Sequence, residues 1–198
     1  KVYWGIRQTL YDIRKEKVLT QMIIRFEAKL SVLTDGIIYN SKKSQNQHES
    51  IGFSKENSIY IPNGFNLSIW KPDAGKRKVL RKEFEIPESS FVIGYIGRFH
   101  QMKNIELLFE VMERVLSENT NLIFLIVGKN TDRKNLKLKP FYDRLPPQQI
   151  VSLGVRADIP AVIQCIDLLC LTSSWGEGFH TSLEKLWQLE FHALQQIL

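Results

Sequence analysis

Two stretches carry residue types that could hold an anionic, hydroxyl-rich ligand. In "GYIGRFHQMKN", Gly97 closes an apolar run, Arg98 follows at once, and Lys103 stands where the next helix should begin. A glycine lets backbone approach a ligand closely, and a helix start offers unpaired N–H groups. Two full cations complete a set that suits a diphosphate. On spacing alone, though, Arg98 and Lys103 read better as exposed loop charges. The Gly94–Gly97 spacing falls short of a dinucleotide fingerprint, and no GxxxxGK occurs. In "SSWGEGFHTSL", Glu177 lies between two glycines at the mouth of a helix. Its carboxylate could accept hydrogen bonds from ligand hydroxyls, and the amides of Gly178, Phe179, His180, Thr181, Ser182 and Leu183 could face an anion. It serves equally as an acid complementing a helix dipole. Nothing in the sequence positions His180 as a base, and Trp175 and Phe179 read as packing residues.

Other chemistries find little support. The four histidines lack metal-ligand spacing, so no metal site is expected. Cys165 and Cys170 form no CxxC pair and sit in an apolar run, as buried thiols of a reducing compartment would. The net charge of +6 admits nucleic acid, an anionic membrane or a phosphorylated small ligand. The densest basic stretches, Lys76–Lys78 with Arg81–Lys82 and residues 129–139, do not interleave aromatics at stacking intervals, so nucleic acid is not expected. Most of these charges read as solvated helix faces and loops. A hydrophobic content of 43% with 24% charged residues suits a folded globular chain. With no leader and no apolar stretch of membrane-spanning length, the expected location is the cytoplasm, with peripheral contact to an anionic inner membrane face also allowed.

The elements that must position these loops alternate along the chain. Residues 16–33 place Leu19, Met22, Ile23, Phe26, Leu30 and Leu33 at helical intervals. Strands are expected at 36–40 and 58–61, with a polar helix near 42–51 between them. Pro62, Asn63-Gly64, Pro72 and Gly75 then break regular structure and mark a linker. Beyond a helix at 76–85, strands at 90–97, 121–128, 149–154 and 167–172 alternate with helices at 103–117, near 139–145, at 158–165 and from about 181. These strands are apolar on both faces, which predicts an α/β fold with a Rossmann-like parallel sheet wrapped by helices. Ligands in such sheets bind beyond the carboxyl ends of the strands, where both loops lie. No further strand is expected in the tail.

In order, several phrases resemble the retaining GT-B glycosyltransferases of family 4, the glycosyl transferases group 1. They are "WGIRQTLYDI", "EAKLSVLTDGIIYNS", "IPNGFNLSIWKPD", "IGYIGRFHQMKNIELLFEVM" and "IVSLGVRADIPAVIQCIDLLCLTSSWGEGF". The resemblance covers nearly all of residues 2–183. It implies a partial GT-B fold: the end of the acceptor-side domain in 1–62, an interdomain linker in 63–75, and an incomplete donor domain in 76–198. It further implies transfer of a sugar, with retention, from a nucleotide-sugar donor to a glycan, lipid-linked or other acceptor. The nucleotide-sugar is then a substrate, and no cofactor is implied. Arg98 and Lys103, with Gly97, would hold the diphosphate. Glu177 would touch sugar hydroxyls, and the amides of residues 178–183 would lie near sugar and phosphate. The loop holding Val155 and Arg156 would lie near the base. Two other readings stay open: a non-catalytic nucleotide-sugar binder, and a basic nucleic-acid or membrane-surface module.

The tail departs from the family pattern. Relatives carry Glu-x7-Glu, and the second position falls on Lys185, with Glu184 one place away, about 100° around a helix. A permitted set of codons for residues 184–198, read in the neighbouring frame, spells E-A-M-A-I-G-I-P-C-I-A-T-D-F, which is the family's continuation. A frameshift near residue 184 is therefore expected, in a chain truncated at both ends and inactive as written. The coding DNA over these residues is the direct check.

Overall fold

The structure is a computed structural model and describes residues 1–10, 12–64, 66, 68–174 and 192–195. It forms two compact units, one within residues 1–64 and the other within 66–174 and 192–195.

The first unit is a three-stranded parallel sheet in the order β1-β2-β3, from β1 (Tyr3–Ile6), β2 (Gly36–Tyr39) and β3 (Ser58–Tyr60). Helix α1 (Val18–Leu30) joins the first two strands and α2 (Lys42–Ser50) the last two. Ser41 starts α2 by accepting a hydrogen bond from the Ser44 N–H at 3.1 Å, which satisfies one orphan donor of the first turn. Strand β1 was not expected; it is four residues long and has Gly5 in its middle. Helix α1 also differs from expectation in the face it buries. Its inward residues are Ile24 and Ala28, whereas Val18, Leu19, Met22, Ile23 and Phe26 are exposed.

The second unit holds a five-stranded, all-parallel sheet in the order β6-β5-β4-β7-β8. Its strands are β4 (Phe91–Ile96), β5 (Leu122–Val127), β6 (Ile150–Gly154), β7 (Leu168–Leu171) and β8 (His192–Gln195). Successive side chains of β5 enter opposite layers. Ile123, Leu125 and Val127 pack with α3 (Ala74–Glu83) and α6 (Ile159–Val162), while Phe124 and Ile126 pack with α4 (Ile105–Glu118) and α5 (Lys139–Tyr142). This two-sided burial explains the continuous apolar runs in the sequence. Gly94 is needed for the first layer, because a Cβ there would lie 2.2 Å from Cδ1 of the fully buried Ile166. Gly94 is thus a packing residue.

Three expectations shift. The helix after β4 begins at Ile105, because Gln101–Lys103 form a 3-10 turn and Asn104 turns left-handed at φ 44°. The segment 158–165 divides into α6 and a 3-10 turn at Ile163–Cys165. The tail does contain a further strand, since β8 pairs in parallel with β7 from Leu168↔His192 to Leu171↔Gln195. The helix expected from about residue 181 lies outside the described residues.

Part of the expected linker is bonded into this unit. Asp73 caps α3 by accepting from the Lys76 N–H at 3.0 Å, and that bond holds its carboxyl below the ordinary range. Gln164 accepts from the Asp73 N–H at 3.1 Å and donates to Lys71 O at 3.1 Å.

The expected solvation of the first basic cluster fails at Arg81, which is only 2% exposed. Its guanidinium donates to Asp167 Oδ2 at 2.7 Å, Ser90 O at 2.9 Å and Cys165 O at 3.0 Å. Arg77 donates to the other carboxylate oxygen of Asp167. Both cysteines are free, and burial pushes the Cys165 thiol up to about 11. Among the described residues, no helix is long and apolar enough to cross a membrane.

Candidate functional site

The carboxyl ends of β4, β5 and β6 are stitched together by backbone. Gly97 N–H donates to Val127 O at 2.9 Å, Phe99 N–H to Lys129 O at 2.8 Å, and Gly128 N–H to Gly154 O at 2.7 Å. Gly128 has φ +150°, and a Cβ there would lie 1.9 Å from Gly97 O. Only glycine permits that approach. The sequence reading missed this residue; its signal was a glycine ending a second apolar strand.

Arg98 leaves this stitched edge exposed, with no hydrogen bond or ion pair among the described residues. Lys103 is half-buried in the following turn, and its carbonyl accepts from the Thr172 hydroxyl at 2.7 Å. Met102 O accepts from the Ser174 N–H at 2.9 Å. The turn after β4 is therefore laced to the exit of β7. His100 Nδ1 accepts from the Met102 N–H at 3.2 Å and shapes the turn. The first amides of the 14-residue α4 follow directly. Such amides have no partner within their own helix and carry partial positive charge. Together with Arg98 and Lys103 they give this end of the sheet the electrostatics of an anion site.

The loop after β6 is divided. Val155 is 72% exposed. Arg156 is held elsewhere: its guanidinium bonds both oxygens of Asp158 at 2.8 and 2.6 Å, lies 3.9 Å from Glu83, and sits 5.4 Å over the Phe84 ring. The Arg156 bond holds the Asp158 carboxyl below its ordinary range. Beside Gly154, at the exits of β5 and β6, lies a cavity of about 440 Å³ whose lining includes Asp132, Tyr142 and Ser152. No sequence signal pointed to it. Gly97, Arg98, Lys103 and Val155 thus share one sheet end, whereas the Arg156 side chain is engaged with α3. Trp175, Glu177, Gly178, Phe179, His180, Thr181, Ser182 and Leu183 lie outside the described residues.

Comparison with known proteins follows the same lines. The chain is 29% identical over 117 residues to an Escherichia coli UDP-Gal:alpha-D-GlcNAc-diphosphoundecaprenol alpha-1,3-galactosyltransferase, which covers 58% of this chain and 30% of that protein. It is 26% identical over 97 residues to glycogen synthase 2 of Nitrosococcus oceani, covering 48% of this chain and 19% of that one. Among solved structures, Anabaena Alr3699/HepE in complex with UDP-glucose superposes with a TM-score of 0.83 at 21% identity, over 98% of this chain and 52% of the other. The glycosyltransferase WaaG, involved in lipopolysaccharide biosynthesis, gives 0.75 at 15% identity, over 98% and 55%. The chain therefore spans about half the length of these structures, and its architecture is a partial GT-B fold. The family model described as Glycosyl transferases group 1 matches residues 76–183, more than half of the chain, so this protein belongs to that family.

Proposed function

We propose that the chain is the donor-side part of an enzyme that moves a sugar, with retention, from a nucleoside-diphosphate sugar to a glycan, lipid-linked or other acceptor. The observation that carries this is the exposed Arg98, without a hydrogen bond or ion pair among the described residues, beside Lys103 and the first amides of α4 at the carboxyl end of a parallel sheet. The solved relative that superposes at 0.83 holds UDP-glucose. In this reading Arg98, Lys103 and the α4 amides hold the diphosphate and stabilise its charge as the sugar departs. Gly97 lets the backbone close in, and Val155 flanks the base. Glu177 takes the sugar hydroxyls, and the amides of residues 178–183 lie along sugar and phosphate. Residues 1–62 belong to the acceptor side, 63–75 link the two domains, and 76–198 bind donor. The chain spans about half the length of these solved structures, so the 198 residues alone are expected to bind nucleotide without transferring sugar. A glycosidic product formed by this chain would refute that part. A binder that never turns over is the second reading, and the same product assay on a longer chain separates the two.

Calorimetric titration with UDP tests the donor site. Arg98→Ala is expected to weaken binding on the order of 10- to 100-fold, the scale of one hydrogen bond to a charged group. Unchanged affinity in a folded variant would remove Arg98 from the site.

Peripheral contact with an anionic membrane is proposed from α1. Its exposed face gathers Val18, Leu19, Met22, Ile23 and Phe26, and the cations Arg25 and Lys29 are also exposed. An apolar helical face with flanking cations suits the headgroup boundary of an anionic bilayer. The galactosyltransferase relative acts on an acceptor joined to diphosphoundecaprenol. In cosedimentation, vesicles of phosphatidylcholine with phosphatidylglycerol should bind the chain better than phosphatidylcholine alone. Phe26→Glu should reduce that binding by roughly tenfold or more, as losing one buried aromatic implies. Equal binding of variant and wild type would exclude this face.

A further inference from the structure

We propose that Asp132 selects the base of the donor nucleotide, admitting uracil or guanine and disfavouring cytosine and adenine. This deepens the nucleotide-sugar reading and rests on it.

The cavity of about 440 Å³ is lined by Asp132, Arg133, Lys134, Tyr142, Ser152 and Gly154, among others. It lies at the exits of β5 and β6, beside the loop that exposes Val155. Strand β6 is the edge of its sheet among the described residues, with a strand neighbour only on the β5 side. Backbone groups on its other side have no strand partner among the described residues. Strands β4 and β6 lie two strand spacings apart, roughly 10 Å. That separation is within the reach of a nucleoside whose diphosphate sits at Arg98 and Lys103.

Asp132 is fixed within the cavity. Its Oδ1 accepts from the Lys134 N–H at 3.0 Å, which closes a tight side-chain turn. A Cβ placed on Gly154, where φ is +63°, would lie 3.9 Å from Asp132 Oδ2. That oxygen thus reaches the exit of β6, and it makes no hydrogen bond among the described residues. The neighbouring Tyr142 hydroxyl is already engaged. Tyr142 donates to Thr131 O at 2.6 Å and also meets Ser152 Oγ at 3.3 Å, and Arg133 lies 5.3 Å over the Tyr142 ring. Arg133 and Lys134 offset the repulsion between this carboxylate and a nearby diphosphate.

A fixed carboxylate oxygen can only accept. Uracil N3–H and guanine N1–H can donate to it. Cytosine N3 and adenine N1 carry lone pairs instead, so those bases can meet the carboxylate only through the neighbouring exocyclic amino group, which requires the ring to shift in the site. A site built around a hydrogen bond rejects an analogue that lacks the matching group more strongly than an apolar pocket does.

The test is calorimetric titration of the 198-residue chain with UDP, GDP, CDP and ADP. Wild type should bind UDP or GDP at least roughly tenfold more tightly than CDP and ADP. Asp132→Ala should compress that ranking to within a few-fold. Asp132→Asn, close in shape, should also compress it, because an amide can accept or donate. Reading the ranking keeps the test valid if a variant is partly destabilised. If the ranking survives both substitutions while Arg98→Ala still weakens UDP, Asp132 has no such role and the donor-site reading stands. Tightest wild-type binding of CDP or ADP overturns the inference in the same way. If none of the four binds the folded chain, the donor-site reading falls and this inference with it.

Discussion

Asp167→Ala should lower the stability of the second unit by about 3–5 kcal/mol, the range for removing one partner of a buried ion pair. The carboxylate joins three elements at the amino-terminal end of the sheet. Its oxygens accept from Arg77 and Arg81 on α3 and from the Val92 N–H at the start of β4, the last at 2.7 Å. Its own N–H donates to Val92 O at 2.8 Å. Without it, a guanidinium only 2% exposed retains carbonyl partners but no counter-charge, and its buried Nε already has none. Arg77 is 30% exposed at its side chain and can turn to water, so the cost centres on Arg81. Urea unfolding followed by circular dichroism measures the loss. Arg81→Met combined with Asp167→Leu should cost less than Asp167→Ala alone, because no buried charge is then stranded. If Asp167→Ala costs under about 1 kcal/mol, the carbonyl ring of Ser90, Glu88 and Cys165 suffices for Arg81 and the argument fails.

The second large effect concerns Gly128. Alanine there must adopt φ near +150°, and its Cβ would overlap Gly97 O at 1.9 Å and crowd Arg98 N at 3.1 Å. Both neighbours are backbone, so relief requires the exit of β4 to move. Strain and overlap together should cost on the order of 3 kcal/mol. The displaced segment carries Arg98, so UDP affinity should fall at least as far as in Arg98→Ala. Gly97→Ala should be milder, because its Cβ would meet the hydroxyl end of Tyr95 at 3.0 Å. Gly5→Ala has nothing within 4 Å of the added carbon and is the control. A Gly128→Ala chain that melts with wild type and binds UDP equally would show that this contact is not needed.

The sequence displayed its sheet more openly than its surroundings. Strands β4, β5 and β7 could be read because both faces are buried and their apolar runs are unbroken. Strand β1 could not, because four residues centred on Gly5 carry too little pattern. Helix α1 was legible as a helix, but its periodicity marks the widest apolar face, and the unit buries the narrower one around Ile24 and Ala28. Arg81 looked like one more solvated charge because its carboxylate partner lies 86 residues away. At the candidate site, Arg98 and Lys103 follow an apolar strand that ends in glycine, but spacing alone read them as loop charges, and only the family resemblance gave them a role. Gly128 and Asp132 did not stand out, since their meaning depends on how closely neighbouring strand exits approach.

The Asp167 clamp and the Arg98 turn occupy opposite ends of the same strands. Folding strength is concentrated at one pole, and in the proposed reading recognition is left to short loops at the other. Such a layout frees those loops to drift. Under the proposed function, substitutions that retune which donor is accepted can accumulate there with little penalty to the scaffold, provided that the glycine contact between the first two strand exits is kept.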